Sequence, residues 1–483
     1  MTPTMRRFVA PMAATLAALM APVSPSASAA TLFTITGHGY GHGIGLGQYG
    51  ALGFAQHGYG WHQIVSHYYP GTVLGTVPAG YSNTERVLLE PSMQTLSFSA
   101  GVRITIKDEG GGLPKAAVLA AGSYTLAPGL TPGRWRVLDA HQTPVVINML
   151  GPVEIMPWGR PLAIANAMPL GWAGGHWWGW LRAIPNASNS AFALVENVPM
   201  ETYLRGVVPS EMPSSWLSQA LASQAVVARS YAYASQHPAA EWDVVDGVSE
   251  AYGPSEHWTT ATDAAVAATA GQVVLYGGQA AWTFYSASSG GLTDSEAGAW
   301  DCGSCGEPYL LPVSDPYDSA GGLNPNHSWA PLAITGAGLS RAFRLAYPAV
   351  AVTPAIGTRS RRVLALAVRT GAGDTTDLLG YRVQQLLGLR STFFRITGVT
   401  LNIAPRVEIG QVAPLTGSVW PLPPGAVALQ RRIGAGPWVT RLSNLRLNAA
   451  GAFIVDPRPT GTWSYRLVVA GGAISPVVTV TAR

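Results

Sequence analysis

From residue 84 to residue 165, apolar and polar side chains alternate, as in Val102-Arg-Ile-Thr-Ile-Lys107, with Gly and Pro turns between the runs. A period of two sends successive side chains to opposite faces, so this region is expected to be strand-rich. After Pro213 the period lengthens. Leu217, Leu221, Ala225 and Ala228 fall on one face of a helix predicted from residue 214 to about residue 236, opened by a serine cap.

Shorter elements follow the same logic. A helix is expected over 48–66, broken at Gly58-Tyr-Gly60, and an alanine-rich one over 263–270, ended by Gly271. Strands are expected at 177–182, 273–276, 282–285 and 361–368, and a Pro/Asn/Asp-rich loop at 306–331. Near residue 400 the pattern changes to short alternating runs at 427–433, 438–442, 452–455 and 463–469, which suits an immunoglobulin-like sandwich without the antibody Cys pair. The predicted fold class is α+β: a mixed, strand-rich domain with a central helix over 31–400, then an all-β sandwich over 401–483.

The first thirty residues stand apart. Arg6 and Arg7 precede a short apolar run, and Ala27-Ser-Ala29 is a small-residue cleavage site, so residues 1–30 read as a secretory signal peptide. No later stretch offers ~18 uninterrupted apolar residues, and no transmembrane helix is expected. A location outside the cytoplasm, secreted or periplasmic, follows from this reading. Charged residues make up only 11% of the chain, while Gly 56, Pro 37 and Trp 16 are high. This suits a rigid extracellular protein with aromatic surface for sugars. The net charge of +4 falls to about +2 without the signal arginines. That is no nucleic-acid footprint, since no basic cluster interleaved with aromatics occurs.

Cys302 and Cys305 are the two cysteines. For an exported chain a local disulfide ranks ahead of free thiols, with a metal site last because no second CxxC exists. No cofactor is implied. His38 and His42 are four apart, but the glycines between and around them disfavour a helix that would make them paired ligands.

The candidate chemistry centres on Glu211 in Val207-Val-Pro-Ser-Glu-Met-Pro213. A carboxylate among apolar neighbours is a candidate for a raised pKa, as a general acid needs. A position ahead of the next helix, at the positive end of its dipole, would instead lower the pKa.

This stretch and the helix after it resemble the core of the sporulation stage II protein D / LytB family. Tyr285-Ser-Ala-Ser-Ser-Gly-Gly-Leu-Thr293, Leu387-Gly-Leu-Arg-Ser-Thr392 and Gly39-Tyr-Gly-His-Gly-Ile-Gly-Leu-Gly-Gln48 resemble three further family elements. The resemblance covers 31–400, with the Gly-His-Gly block at 31–75, the strand-rich subdomain at 84–165 and the core at 195–398. It implies secreted proteins acting on peptidoglycan: lytic transglycosylases in one branch, an amidase enhancer in the other. The family's catalytic glutamate maps onto Glu211. The implied function is cleavage of the MurNAc–GlcNAc bond with formation of 1,6-anhydro-MurNAc by one acid/base. The alternative is a non-catalytic wall-binding modifier of an N-acetylmuramoyl-L-alanine amidase. The implied partners are peptidoglycan strands and an amidase.

Substrate-binding candidates are His42, Gln48, Arg229, Tyr252, Ser288, Ser289, Gly290 and Gly291. Each has a plainer alternative: an internal hydrogen bond for His42, a buried salt bridge for Arg229, core for Tyr252, a turn for Ser288–Gly291. Gly47 replaces the family's Ser before Gln48. Some family members bind zinc through a Cys and a His after the catalytic helix; Ser249 stands where the Cys is expected, so no metal site is predicted. The family places its Gly-His-Gly block near the C-terminus, whereas here it comes first. The chain therefore reads as a circular permutation, with residues 33–36 expected beside residues 393–397.

Overall fold

A computed structural model of the chain describes residues 31–111, 116–167, 173–300, 306–357 and 359–483. Residues 1–30, expected to be a signal peptide, and the Cys302/Cys305 pair lie outside the described residues. The fold is α+β and strand-rich, with several sheets and few helices. It divides into two compact units.

The larger unit spans 34–333 and 339–396. Two antiparallel-dominated sheets fill its strand-rich part. One has seven strands and is built around Phe192–Pro199, which pairs with Thr84–Met93 on one side and Trp180–Pro185 on the other. The other has six strands and includes Leu96–Ala100 and Gly122–Pro128. The alternation at Leu96–Ala100 and Ile104–Asp108 is seen in their burial, every second residue facing the core. Phe192–Pro199 departs from alternation because it is central: nearly every residue is buried, as a strand covered on both faces requires.

The helices gather after that strand. We label them α1 (Gln48–Gln56), α2 (Trp61–Tyr68), α3 (Met200–Glu211), α4 (Ser218–Ser235) and α5 (Thr260–Ala268). α4 is buried almost all round by α1, α2, α3, α5 and the strand Gln272–Tyr276. Its small residues, Ala220, Ala222, Ala225 and Ala228, let neighbours approach on every side, so it has no single apolar stripe. The predicted serine cap is absent. α4 begins at Ser218 with Leu217 in the cap position and no side-chain cap bond. Residues 213–216 form a separate turn, closed by Trp216 N–H to Pro213 O at 2.9 Å, which sets the Trp216 ring 4.9 Å from that of Tyr49. The break at 58–60 separates α1 from α2 as expected. The run 177–182 is two strands, Ala173–Trp177 and Trp180–Pro185, and of 282–285 only Tyr285 is in a strand.

Glu201 and Arg229 staple α3 to α4. Arg229 is fully buried and meets the Glu201 carboxylate at 2.8 and 2.7 Å through Nε and Nη2. Glu201 is 40% exposed, so its removal leaves buried Arg229 with the carbonyls of Val266 and Gln272 but no counter-charge. Glu201→Ala is expected to destabilise the protein by about 1–2 kcal/mol, read as a drop in denaturation midpoint, with the denaturant slope unchanged.

The strands Leu32–Gly37 and Phe394–Asn402 are hydrogen-bonded neighbours. In the larger unit His38 N–H donates to Phe393 O at 2.9 Å and Ser391 Oγ to His38 O at 2.6 Å. In the smaller unit the Phe33 ring lies against Gly398. The first and last segments of the 31–400 region are therefore side by side.

The smaller unit contains 397–483. Its five-stranded sheet runs in the order Arg406–Val407, Val478–Ala482, Thr462–Val469, Val427–Ile433 and Val439–Leu442. Leu415–Trp420 and Ala452–Val455 belong to a second sheet. Val399, Leu415, Val419, Leu429, Leu467 and Val480 form a core of their own.

Candidate functional site

Glu211 is the last residue of α3, not a residue poised at the start of α4. Pro209, inside α3, has no N–H to offer, yet the helix runs on until Met212 N–H closes on Val208 O at 3.0 Å. A carboxylate here faces the negative end of the helix dipole, which opposes ionisation. The dipole argument from the sequence therefore reverses sign. The residue is partly exposed, but its carboxylate is desolvated, and burial raises its pKa above the usual range. Three donors work against that shift: the backbone N–H of Ala251, Gln48 and Tyr285. Ala251 N–H donates to Oε1 at 2.7 Å, and Gln48 Nε2 donates to Oε2 at 3.1 Å.

Gln48 comes from the Gly-His-Gly block. It is buried at the start of α1, and Gln224 of α4 holds it from behind at 3.4 Å. The block reaches this place because its glycines take conformations closed to other residues. Gly45 has φ +64°, and a Cβ there would sit 2.1 Å from Phe284 O. Gly47 leaves room for the Asp315 carboxylate, 2.7 Å from where a Cβ would lie.

Behind Glu211 stands a second carboxylate that sequence reasoning missed. Glu250 is 3% exposed. It accepts hydrogen bonds from Tyr203 Oη at 2.8 Å and Tyr285 Oη at 3.0 Å. Burial, then the nearby charge of Glu211, pushes its pKa up to about 8, against the Tyr203 and Tyr285 bonds. Tyr285 thus touches both carboxylates. In Asp246-Gly-Val-Ser-Glu-Ala-Tyr-Gly253 no local pattern marks Glu250, because Tyr203 and Tyr285 come from elsewhere in the chain. Ser249 accepts the Val245 N–H at 3.1 Å. Among the described residues no group of three His, Cys, Asp or Glu converges as metal ligands would.

The other candidates are placed elsewhere. Arg229 is saturated by its pair with Glu201, the salt-bridge alternative. Tyr252 is 3% exposed, donates to Glu196 at 2.8 Å and packs on α3 at Gly206. It supports α3 from the core. Ser288 and Ser289 are buried, their hydroxyls donating to Asp318 at 2.9 Å and Asp315 at 2.7 Å. They anchor the 306–331 loop, and Gly290 and Gly291 turn the chain there with positive φ. His42 takes the Ile44 N–H on Nδ1 at 2.9 Å beside Phe284 and Trp300. Burial lowers its pKa to about 4, with Arg362 adding to the effect, so the ring is neutral at physiological pH.

These burials make stability depend on pH. Glu250 at about 8, and Glu196, Asp246 and Asp315 at about 7, are all raised, chiefly by burial. A raised carboxyl pKa stabilises the fold fully below the unfolded value, and that contribution is lost as pH rises through the folded value. His42 acts in the opposite sense, its depressed pKa costing stability as pH falls below 6.5. The melting temperature is expected to be higher at pH 6 than at pH 9, measured by calorimetry at fixed ionic strength.

Comparison with known proteins bears on this site. A sequence model of the stage II sporulation protein (SpoIID) family matches residues 188–276. That segment carries Glu201, Glu211 and Glu250 but neither Gln48 nor Tyr285. An amidase enhancer of Bacillus subtilis is 37% identical over 115 residues, 24% of this chain and 15% of the relative. The stage II sporulation protein D of Bacillus subtilis is 26% identical over 232 residues, 44% of this chain and 65% of the relative. An uncharacterised protein of Brachyspira hyodysenteriae is 33% identical over 114 residues, 22% of this chain and 30% of the relative. The chain thus spans less than two thirds of each relative's length. No solved structure matches it. Among the described residues no helix is long and apolar enough to cross a membrane. The SpoIID match and the two Bacillus subtilis relatives show that the segment holding Glu211 is similar to the stage II sporulation protein D / LytB family.

Proposed function

We propose that this chain is an exported lytic transglycosylase of peptidoglycan with Glu211 as its single acid/base. The observation that carries the reading is the setting of Glu211: at a helix C-terminus, desolvated yet partly exposed, with a donor on each oxygen. A protonated Glu211 gives its proton to the glycosidic oxygen. The resulting carboxylate, steadied by Ala251 N–H and Gln48, takes the proton of the muramic acid C6 hydroxyl as that oxygen closes on C1. The product is a 1,6-anhydro ring, and no water is consumed. A hydrolase with two working carboxylates is less well supported, because buried Glu250 is withdrawn from the glycan. Tyr49 and Trp216 offer aromatic surface close by.

The identity to an amidase enhancer favours a second reading, in which the chain binds the wall and stimulates an amidase. The two separate on purified sacculi, intact or stripped of stem peptides. Anhydro-muropeptides in the soluble products support the transglycosylase. Stimulation of an added wall amidase, undiminished in Glu211→Gln, supports the modifier.

Two structural readings belong to the same proposal. One is that the chain is a circular permutation of the usual order, in which the block at 31–75 would follow residue 398; the pairing of Leu32–Gly37 with Phe394–Asn402 supports it. The unit at 401–483 is taken as an immunoglobulin-like appendage.

A further inference from the structure

The charge of the chain is divided unevenly. Residues 401–483 hold eight arginines and no lysine against two acidic residues, Glu408 and Asp456, a formal +6. Residues 31–400 hold 19 basic and 23 acidic residues, a formal −4. All eight arginines are described, and among the described residues every ion pair lies outside this stretch.

The five-stranded sheet concentrates part of this charge. Gln430 lies opposite Arg466 and Arg432 opposite Ser464. By the two-residue period these four share one face, while Leu429, Tyr465 and Leu467 face the core. Two guanidinium groups lie over Trp438: Arg466 is 4.4 Å from its ring centroid and Arg432 4.9 Å. Arg466 Nε donates to Gln430 Oε1 at 2.8 Å, which fixes the fork. Arg432 Nε is buried without a hydrogen-bond partner. Two like charges held on one indole, neither paired with a carboxylate among the described residues, form a cation site prepared for an anion. The choice of Arg throughout fits phosphate, whose oxygens match the planar fork. Arg406, Arg441, Arg446, Arg458 and Arg483 are exposed on the same unit, which suits a long polyanion rather than a single small one.

We propose that this sheet face binds a phosphodiester-linked anionic polymer of the cell wall, with Arg432 and Arg466 as its specific phosphate contacts. The proposal takes the wall setting from the function proposed above but needs no glycan cleavage, and binding is its readout. The test is co-sedimentation of the full chain with purified sacculi that retain their phosphodiester polymer, or have lost it by hydrofluoric acid treatment. The wild type and Glu211→Gln are expected to bind retained sacculi alike, and about tenfold more weakly once the polymer is removed. Arg432→Gln/Arg466→Gln, with a melting temperature near wild type, is expected to lose the same factor on retained sacculi. Arg406→Gln/Arg446→Gln removes the same charge away from Trp438 and is expected to lose much less. Equal loss in the two double variants would replace the site by diffuse attraction and overturn the proposal. Undiminished binding to stripped sacculi would assign binding to the peptidoglycan itself and overturn it too. Anhydro products without polymer-dependent binding would leave the cleavage reading standing alone.

Discussion

Glu211→Gln is expected to abolish release of anhydro-muropeptides from sacculi while leaving the fold and wall binding intact. The amide keeps the size of the side chain, and its oxygen still accepts from Ala251 N–H. It has no ionisable proton to give the glycosidic oxygen and cannot become the base for the C6 hydroxyl. General acid–base catalysis contributes roughly a hundred- to ten-thousand-fold, and here one group serves both halves of the reaction. The loss is expected at the upper end of that range, measured as initial rate of soluble product by mass spectrometry. Comparable rates in variant and wild type would remove Glu211 from the chemistry and leave the amidase-modifier reading.

The second large effect is expected at Glu250. Two carboxylates bridged by the Tyr285 hydroxyl titrate as a pair, in two macroscopic steps. The upper step lies at about 8, where Glu250 ionises. Below it Glu250 holds its proton beside Tyr285, which also faces Glu211. The alkaline limb of wild-type activity is therefore expected near pH 8. Glu250→Gln leaves Glu211 to titrate alone, so its limb is expected to move to lower pH with the acid-side rate little changed. An unmoved limb would mean that desolvation alone sets the acidity of Glu211. Glu250→Ala is a harsher change. It leaves the Tyr203 and Tyr285 hydroxyls without their acceptor in a closed pocket, and an expected cost of about 2–5 kcal/mol is read from the denaturation midpoint.

Much of this protein was legible in its sequence where one physical signal acts alone. Period two at Leu96–Ala100 and Ile104–Asp108, and the glycine break between α1 and α2, are local signals that local structure obeys. Glu211 was legible through motif and apolar setting together. Its electrostatic surroundings were not, because the continuation of α3 through Pro209 reverses the dipole argument. Gln48 was singled out for the glycan, yet it donates to Glu211, 163 residues away. Arg229, Tyr252, Ser288 and Ser289 carry the right chemistry for a cleft, and only burial reveals that their partners are internal. Glu250 was overlooked because a lone acidic residue beside Ser249 carries no pattern; its role arises from Tyr203 and Tyr285, which come from distant parts of the chain.

The bond from Gln48 to Glu211, and the bonds that bring His38 to Ser391 and Phe393, have a kinetic consequence. Ser391 and His38 are separated by 353 residues. Loop closure over such spans must come before the contacts that reward it, so native structure of this kind forms slowly. An acid whose hydrogen-bonding partner lies 163 residues away in the chain gains its environment only when that long loop is closed. Until residues 31–400 have folded, a chain of this design holds Glu211 without the hydrogen bonds of Gln48 and Ala251.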